Sequence, residues 1–137
     1  MNNPPTETLH LLLDLESLTK RDPRGAIVEI GAVLFCPESG TIGETFFRQI
    51  RVTPDNELAE IDTLEWHRKH GRDLDAFKYG HELKDALDDL ILWMPPKADL
   101  AGVWSWGITY DFPRLEYRFD IYRLEQPWDY FQVKDAR

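Results

Sequence analysis

The sequence is poor in cysteine, in long apolar runs and in positive charge. Its single cysteine, Cys36, cannot form an internal disulfide, which suits a reducing cytoplasm. The longest apolar runs, residues 11–13 and 90–94, are far too short to cross a bilayer. The first ten residues, MNNPPTETLH, lack the basic segment and apolar stretch of a secretory signal. Together these absences predict a cytoplasmic protein.

Positive charge is outweighed by negative charge. The chain has 25 Asp and Glu against 16 Lys and Arg, which gives a formal net charge of −9 and a pI near 4.8. This balance argues against tight, sequence-independent binding of nucleic acid, since Lys and Arg supply that affinity. It remains compatible with an enzyme that holds the end of a strand through bound cations. It is equally compatible with an acidic protein whose partner is another protein.

At 137 residues the chain predicts one domain, 1–137, with a single core. Apolar, β-branched segments bounded by turn residues predict strands at 8–15, 26–35 and 41–52. Their short connections imply an antiparallel meander. Helical patterns follow at 62–70, 82–94 and 112–124, and two further strands are predicted at 101–107 and 130–134. This order, β-β-β-α-α-β-α-β, predicts an α/β fold with a mixed five-stranded sheet flanked by helices.

Two carboxylates interrupt the end of the first strand. Asp14 and Glu16 are two residues apart, so in a strand both point to the same face. Carboxylates that converge beside an apolar core repel each other unless a cation lies between them. Such hard oxygen ligands suit Mg²⁺ or Mn²⁺. The alternative is that the strand ends at Leu13 and both acids are solvated.

Asp111 follows the predicted fourth strand and opens the last predicted helix. Its position at the end of a neighbouring buried strand makes it a candidate third metal ligand. The alternative is a structural role, because an Asp before Phe112 and Pro113 is a natural N-cap. A single carboxyl can serve both roles only if hydrogen bonds from backbone amides do not take up both of its oxygens.

Three segments together, LLLDLES, AIVEIGAVLF and VWSWGITYDFPRLE, resemble the first two sequence blocks of the DEDD family of 3′–5′ exonucleases. The resemblance is to the proofreading-subunit and RNase T type, and the spacing of Trp104, Gly107 and Asp111 is similar to phage-encoded members. It implies an RNase H-like fold and hydrolysis of single-stranded DNA or RNA from the 3′ end by a two-metal mechanism. Asp14, Glu16 and Asp111 match the catalytic residues that hold two divalent ions, Mg²⁺ or Mn²⁺.

Other roles are also assigned from this resemblance. It implies that Glu16 also positions the 3′-terminal hydroxyl or the scissile phosphate, and Leu15, Ser17 and Arg114 are candidate substrate-binding residues. The third block of the family carries a His or Tyr shortly before a fourth Asp, on a helix after the fifth strand. This sequence ends where that helix is expected, so the domain is interpreted as C-terminally truncated relative to the family. Asp135 is not assigned the fourth role.

Several further residues are predicted to be structural or solvated. Cys36 is expected to be a small core residue. Tryptophans 104 and 106 share a strand face and are expected in the core, and Phe46, Phe47 and Ile50 in meander packing. Surface positions on helices are expected for His67, His70 and His81. The loop cations Lys20, Arg21 and Arg24 are expected to be solvated, with contact to a phosphate backbone as the alternative.

The sequence therefore predicts a 3′–5′ exonuclease with a weakened metal site and reduced activity. Two alternatives remain. A nuclease scaffold without its third block would serve as a catalytically inactive binding protein, for instance a phage factor that contacts a host protein. Alternatively, another chain, such as the second copy in a homodimer, completes the site.

Overall fold

The computed structural model describes residues 8–137. Eight main elements follow one another along the chain. They are β1 (Leu9–Ser17), β2 (Ile27–Cys36), β3 (Thr41–Gln49), α1 (Ile61–Lys69), α2 (Leu83–Trp93), β4 (Leu100–Ser105), α3 (Asp111–Ile121) and β5 (Val133–Asp135). The predicted order of strands and helices is confirmed. The N-terminal segment used to judge a secretory signal lies outside the described residues except for its last three positions.

The five strands form one mixed sheet in the order β3-β2-β1-β4-β5. β1, β2 and β3 pair antiparallel, as the short connections predicted, whereas β4 and β5 run parallel to β1. The C-terminal ends of β1, β4 and β5 therefore meet at one edge of the sheet. Side chains that follow these strands are brought together there.

The main core lies between one sheet face and helices α2 and α3. Along β1, Leu11, Leu13 and Leu15 are fully buried while the residues between them are more exposed, which is the period-two pattern of a half-buried strand. Leu87 of α2 and Leu115 of α3 pack against the same cluster. This packing fixes β1, and with it the carboxylates on its other face.

A smaller cluster holds α1 near the end of β1. It consists of Leu18, Ala26, Val28 and Phe77, with Leu64 of α1 packed against it. The backbone bonds from Ala26 N to Leu58 O and from Glu60 N to Leu18 O tie the segment before α1 to the β1–β2 loop. α1 is thus held beside the sheet edge at which β1 ends.

Some boundaries differ from the sequence prediction. β5 is shorter and later than predicted, because Tyr130–Gln132 forms a 3-10 turn and only Val133–Asp135 joins the sheet. Two further 3-10 turns, Leu74–Lys78 and Lys97–Asp99, were not predicted. β3 ends at Gln49, after which Ile50 pairs with His81. None of the helices within residues 8–137 combines the length and the apolar character needed to span a membrane.

Candidate active site

Asp14 and Glu16 lie on the sheet face opposite the main core. Their neighbours Leu13 and Leu15 are buried, Asp14 is exposed and Glu16 is half-buried. The prediction that the two acids share a face is confirmed. β1 continues to Ser17, so both acids belong to the strand and are not in a loop beyond it.

Asp111 joins these acids through the backbone of β1. Its Oδ1 accepts a hydrogen bond of 3.0 Å from the amide of Leu15, the residue between Asp14 and Glu16. The N-cap prediction is wrong: Tyr110 is the N-cap of α3, it makes no side-chain capping bond, and Asp111 is the first helical residue. The Asp111 carboxyl is thereby directed to the strand segment of β1 that carries Asp14 and Glu16.

The electrostatics of the three carboxyls indicate crowded negative charge. Although Asp14 is exposed as a residue, partial desolvation of its carboxyl beside the sheet raises its pKa, and the charge of Glu29 raises it further. Burial also raises the pKa of Glu16, which the Arg72 guanidinium opposes and Asp14 reinforces. Burial is the main reason that the pKa of Asp111 rises to about 6, with the charge of Asp14 contributing. Each carboxyl is therefore harder to ionise than in water, which is the condition a bound cation would relieve.

Sequence reasoning missed Glu29. Strand pairing places Glu29 directly opposite Glu16, so it lies on the same face as the catalytic candidates. Arg72, which follows α1, forms an ion pair with it at 2.9 Å. The only signal in the sequence was a single acid within the apolar segment AIVEIGAVLF. Its neighbour could not be named before the register was known.

These acids do not form a closed metal centre. Among residues 8–137, no group of three or more His, Cys, Asp or Glu side chains has the geometry to hold an ion. The chemistry of the donors nevertheless fits a divalent cation, because Asp14, Glu16 and Asp111 are hard oxygen ligands whose ionised forms are disfavoured by burial and by nearby acids. One Asp111 oxygen is already bonded to Leu15.

A cleft of about 610 Å³ opens beside Glu16, between the end of β1 and α1. Its aromatic walls are Trp66 of α1, which is half-exposed and stacked on His70 with ring centroids 4.0 Å apart, and Tyr110 before α3. Ser17 also lines the cleft. The sequence did not predict this cleft, because Trp66 and Tyr110 are far apart in the chain and meet only through the fold.

The predicted substrate-binding residues lie around this cleft. The Leu15 side chain is buried in the core and its amide is bonded to Asp111, whereas Ser17 lines the cleft. Arg114 is buried and donates to the carbonyls of Tyr110 (2.7 Å) and Thr19 (2.9 Å). Its guanidinium also lies 3.8 Å from the centre of the Tyr110 ring. Through these bonds Arg114 connects the Tyr110 and Thr19 walls of the cleft, while its buried Nε has no hydrogen-bond partner within the described residues.

Three predictions about exposure are wrong. His67 was expected at the surface, but it is only 1% exposed because α1 turns it toward β1, where its Nε2 lies 3.2 Å from the Ser17 carbonyl. Trp106 was expected in the core, but it follows the end of β4 and is 68% exposed. Phe47 was expected in meander packing, yet it is exposed on the edge strand β3. The expected burial of Cys36 is confirmed.

The sequence of this chain matches the family model of the Rv2179c-like 3′-5′ exoribonuclease domain over residues 9–137. A comparison with curated proteins gives no match. The structure is similar to the nuclease domain of 3′hExo, a DEDDh family member, solved bound to rAMP (TM-score 0.65, 18% identity, 87% of this chain and 62% of that one). It is also similar to cell-death related nuclease 4, with a TM-score of 0.65, 11% identity, and coverage of 88% of this chain and 42% of that one. Product-bound exonuclease I is similar as well, with a TM-score of 0.72, 15% identity, and coverage of 95% of this chain and 30% of that one.

At such low identity, the likeness to solved structures shows the fold alone. The predicted RNase H-like arrangement of a mixed five-stranded sheet with flanking helices is confirmed. The chain spans less than two thirds of the length of each of these solved structures.

Proposed function

Because the chain belongs to the family of Rv2179c-like 3′-5′ exoribonuclease domains, we propose that it hydrolyses single-stranded nucleic acid from the 3′ end. One observation carries the proposal: the hydrogen bond between the Leu15 amide and Asp111, residues 96 apart in sequence. This bond brings Asp111 to the strand segment that carries Asp14 and Glu16. The family description favours RNA over DNA as the substrate.

Asp14, Glu16 and Asp111 would hold the divalent cations, Mg²⁺ or Mn²⁺, since they are the crowded hard-oxygen donors at this sheet edge. Bound ions of this kind activate water, stabilise the departing 3′ oxygen and neutralise charge on the phosphate. The contribution of the chain is to hold Asp111 buried and bonded to the β1 segment between Asp14 and Glu16. A net charge of −9 makes binding of a polyanion dependent on such cations.

The cleft beside Glu16 would take the terminal nucleoside. Its volume of about 610 Å³ lies within the usual range of ligand pockets, roughly 300–1,000 Å³. Trp66 lines the cleft and stacks on His70, and aromatic rings of this kind stack on bases. Arg114 acts as a positioning residue for Tyr110 and Thr19. Lys20, at the rim, supplies positive charge for the phosphate.

The proposal is tested with single strands of RNA and DNA labelled at the 5′ end and incubated with Mn²⁺. We expect a ladder of shortened products, and we expect Asp14→Asn to reduce the rate by about 10²-fold or more, the scale of losing one electrostatic contact to the transition state. Asp85→Asn is the matched control, because Asp85 is an exposed carboxylate on α2, away from the site. Equal rates for the two variants would contradict the proposal.

A second candidate is a catalytically inactive binding protein on a nuclease scaffold. The observation that favours it is the open arrangement of the acids, which form no closed metal centre within residues 8–137. The two candidates differ in their response to metal. Absence of products, together with a melting temperature that Mn²⁺ leaves unchanged in both the native chain and Asp14→Asn, would favour the binding protein.

A further inference from the structure

A second cleft adjoins the one beside Glu16. Its volume is about 500 Å³, and it lies along the β1–β2 loop, residues 18–26. Thr19, Lys20 and Glu60 line both clefts, so the two are neighbours along this loop. The other residues that line the second cleft are Arg21, Asp22 and Leu58. A strand whose end lies in the cleft beside Glu16 can therefore continue into the second cleft.

Positive charge predominates among the unpaired groups of the second cleft. Lys20 and Arg21 are exposed, and neither forms an ion pair within residues 8–137. Of the two acids, Asp22 is neutralised by Arg24, whose Nε and Nη2 donate to it at 3.1 and 2.8 Å. Glu60 accepts the Lys20 amide at 2.7 Å. In a chain of net charge −9, this cleft has two unpaired cations and one unpaired acid.

Two buried arginines of α3 support the loop from inside the molecule. Arg114 and Arg118 are 1% and 3% exposed, and they donate to the loop carbonyls of Thr19 (2.9 Å) and Arg24 (2.8 Å). In the part of the chain that the structure describes, neither arginine forms an ion pair and the Nε of each has no partner. A buried cation without an ion partner is unfavourable, and an anion bound at the loop would offset that cost.

Other acids near α3 do not cancel this charge. The Asp111 carboxyl accepts a backbone amide of β1, and the Asp55 carboxyl accepts two hydroxyl groups. Glu57 lines a different depression, together with Arg118, which is not part of the second cleft. The second cleft therefore keeps its excess of positive charge.

The β1–β2 loop is held in one conformation by its own bonds. The Thr19 hydroxyl and the Gly25 amide both donate to the Asp22 carbonyl, at 2.7 and 3.0 Å. A Cβ at Gly25 would lie 1.9 Å from the Thr19 hydroxyl oxygen, so the turn closes without space for a side chain. Lys20 and Arg21 lie within this turn. Their backbone is therefore preorganised, which lowers the entropy cost of binding a ligand.

We propose that the second cleft binds the penultimate nucleotide of a single strand, with Lys20 and Arg21 on the phosphate at its 5′ side. The inference rests on the proposed function, because it requires the terminal nucleoside to lie in the cleft beside Glu16. Grooves of positive charge hold single strands by their backbone. The contact is to phosphate and not to a base, so this cleft holds RNA and DNA alike.

The test compares two double variants that each remove two positive charges. The loop variant is Lys20→Gln/Arg21→Gln, and the control variant is Lys84→Gln/Arg123→Gln, which changes exposed cations on α2 and after α3. Binding of a 5′-fluorescein single strand of about eight nucleotides is measured by anisotropy with Mn²⁺, in the Asp14→Asn background to slow hydrolysis. We expect the loop variant to bind about ten-fold more weakly and the control variant to bind unchanged. Equal effects would overturn the proposal.

The contact is localised by changing the strand. A neutral methylphosphonate replaces the second linkage from the 3′ end of a DNA strand. We expect this change to weaken binding to the native loop about ten-fold and to leave binding to the loop variant nearly unchanged, because the partner of the phosphate is already missing. An equal loss with both loops would show that Lys20 and Arg21 do not contact this phosphate.

Failure of the proposed function has a different signature. A native chain that shortens no strand, while the loop variant alone weakens binding, would exclude hydrolysis and support the second cleft. In a chain that does shorten strands, we expect the loop variant to raise KM and to leave kcat unchanged, since the contact lies outside the reacting linkage. Equal KM values for the loop and control variants would overturn the second cleft and leave hydrolysis established.

Discussion

At the candidate active site, two opposing effects act on the carboxyl of Asp111. Asp111 is buried and accepts a bond from the Leu15 amide, which favours a fixed position, yet burial also opposes its ionisation. Metal ligation requires the ionised form. The fold therefore places the ionised Asp111 carboxyl in an unfavourable environment, which a bound cation would relieve.

Asp111→Asn is expected to stabilise the metal-free protein at neutral pH. The pKa of Asp111 rises from 3.8 to about 6 on folding, so its stabilising contribution is complete below about pH 3.8 and is lost as the pH rises through about 6. Asparagine keeps an acceptor for the Leu15 amide without the charge. At pH 7.5 with a chelator, we expect the free energy of unfolding in urea to rise by about 1–3 kcal/mol.

The pH dependence identifies the cause of this stabilisation. At pH 4 the Asp111 carboxyl of the native chain is largely protonated, so the difference between the native chain and Asp111→Asn should nearly vanish. Asp85→Asn serves as the control, since Asp85 is exposed. A difference of equal size at both pH values would show that the stabilisation does not come from ionisation.

The position of a single residue could be predicted from the sequence where neighbouring residues determine it, and could not where it depends on contacts between distant parts of the chain. The shared face of Asp14 and Glu16 follows from the two-residue period of a strand, which the sequence contains. The acceptor role of Asp111 could not be predicted, because its donor is 96 residues away. The burial of His67 and the exposure of Trp106 depend on which side of α1 meets the sheet and on where β4 ends. Neither fact is encoded within a few residues.

Among the elements, the connection between α1 and α2 packs closely against the end of β3. Gly80 has a φ of 117°, and a Cβ at this position would lie 2.5 Å from the Gln49 carbonyl oxygen. The adjacent His81 donates its amide to the same carbonyl at 2.8 Å. The loop therefore closes directly on the end of β3 and has no space for a side chain.

Gly80→Ala is expected to cost more stability than Gly71→Ala. Both glycines have positive φ values, so both alanines carry the strain of the left-handed region, about 1–2 kcal/mol. A Cβ at Gly71 has no atom within 4 Å, whereas at Gly80 it overlaps backbone. We expect overpacking to add about 1–3 kcal/mol at Gly80 alone, measured by urea unfolding. Equal losses at the two positions would contradict the close contact with Gln49.

Elements with strong periodicity were the ones that the sequence predicted well. β1, β2 and α2 lie within two residues of their predicted ends, because each has an apolar pattern with the right period and a clear stop. The 3-10 turns were missed, since each spans only three to five residues and has no periodic signal. β5 was placed too early because the aromatic pair Tyr130 and Phe131 has high strand propensity but lies in a turn.

On the scale of the whole molecule, repulsion between excess negative charges destabilises the folded state. The net charge of −9 is spread over one small domain, and the ion pairs within residues 8–137 lie mainly at partly exposed surface positions. Exposed pairs contribute little to stability. Net repulsion between the remaining carboxylates is therefore expected to lower the melting temperature at low ionic strength.

Raising NaCl from 20 to 500 mM is expected to raise the melting temperature by about 2–5 °C, because salt shortens the range of this repulsion. A triple variant of the exposed acids Glu44, Glu57 and Glu116 to Gln reduces the net charge from −9 to −6. We expect its melting temperature to depend less on salt, as measured by differential scanning calorimetry. A fall in melting temperature with salt would mean that specific ion pairs outweigh net repulsion.

The hydrogen bond between Leu15 and Asp111 also makes the Leu15 amide an NMR probe of the Asp111 carboxyl. An amide proton bonded to a carboxylate shifts its NMR resonance when that carboxylate gains a proton or coordinates an ion. The Leu15 resonance would therefore record occupancy of the neighbouring acids directly, in the absence of any substrate. A titration with Mg²⁺ that moves this one signal, while amides of α2 stay in place, would locate ion binding at the level of a single peptide group.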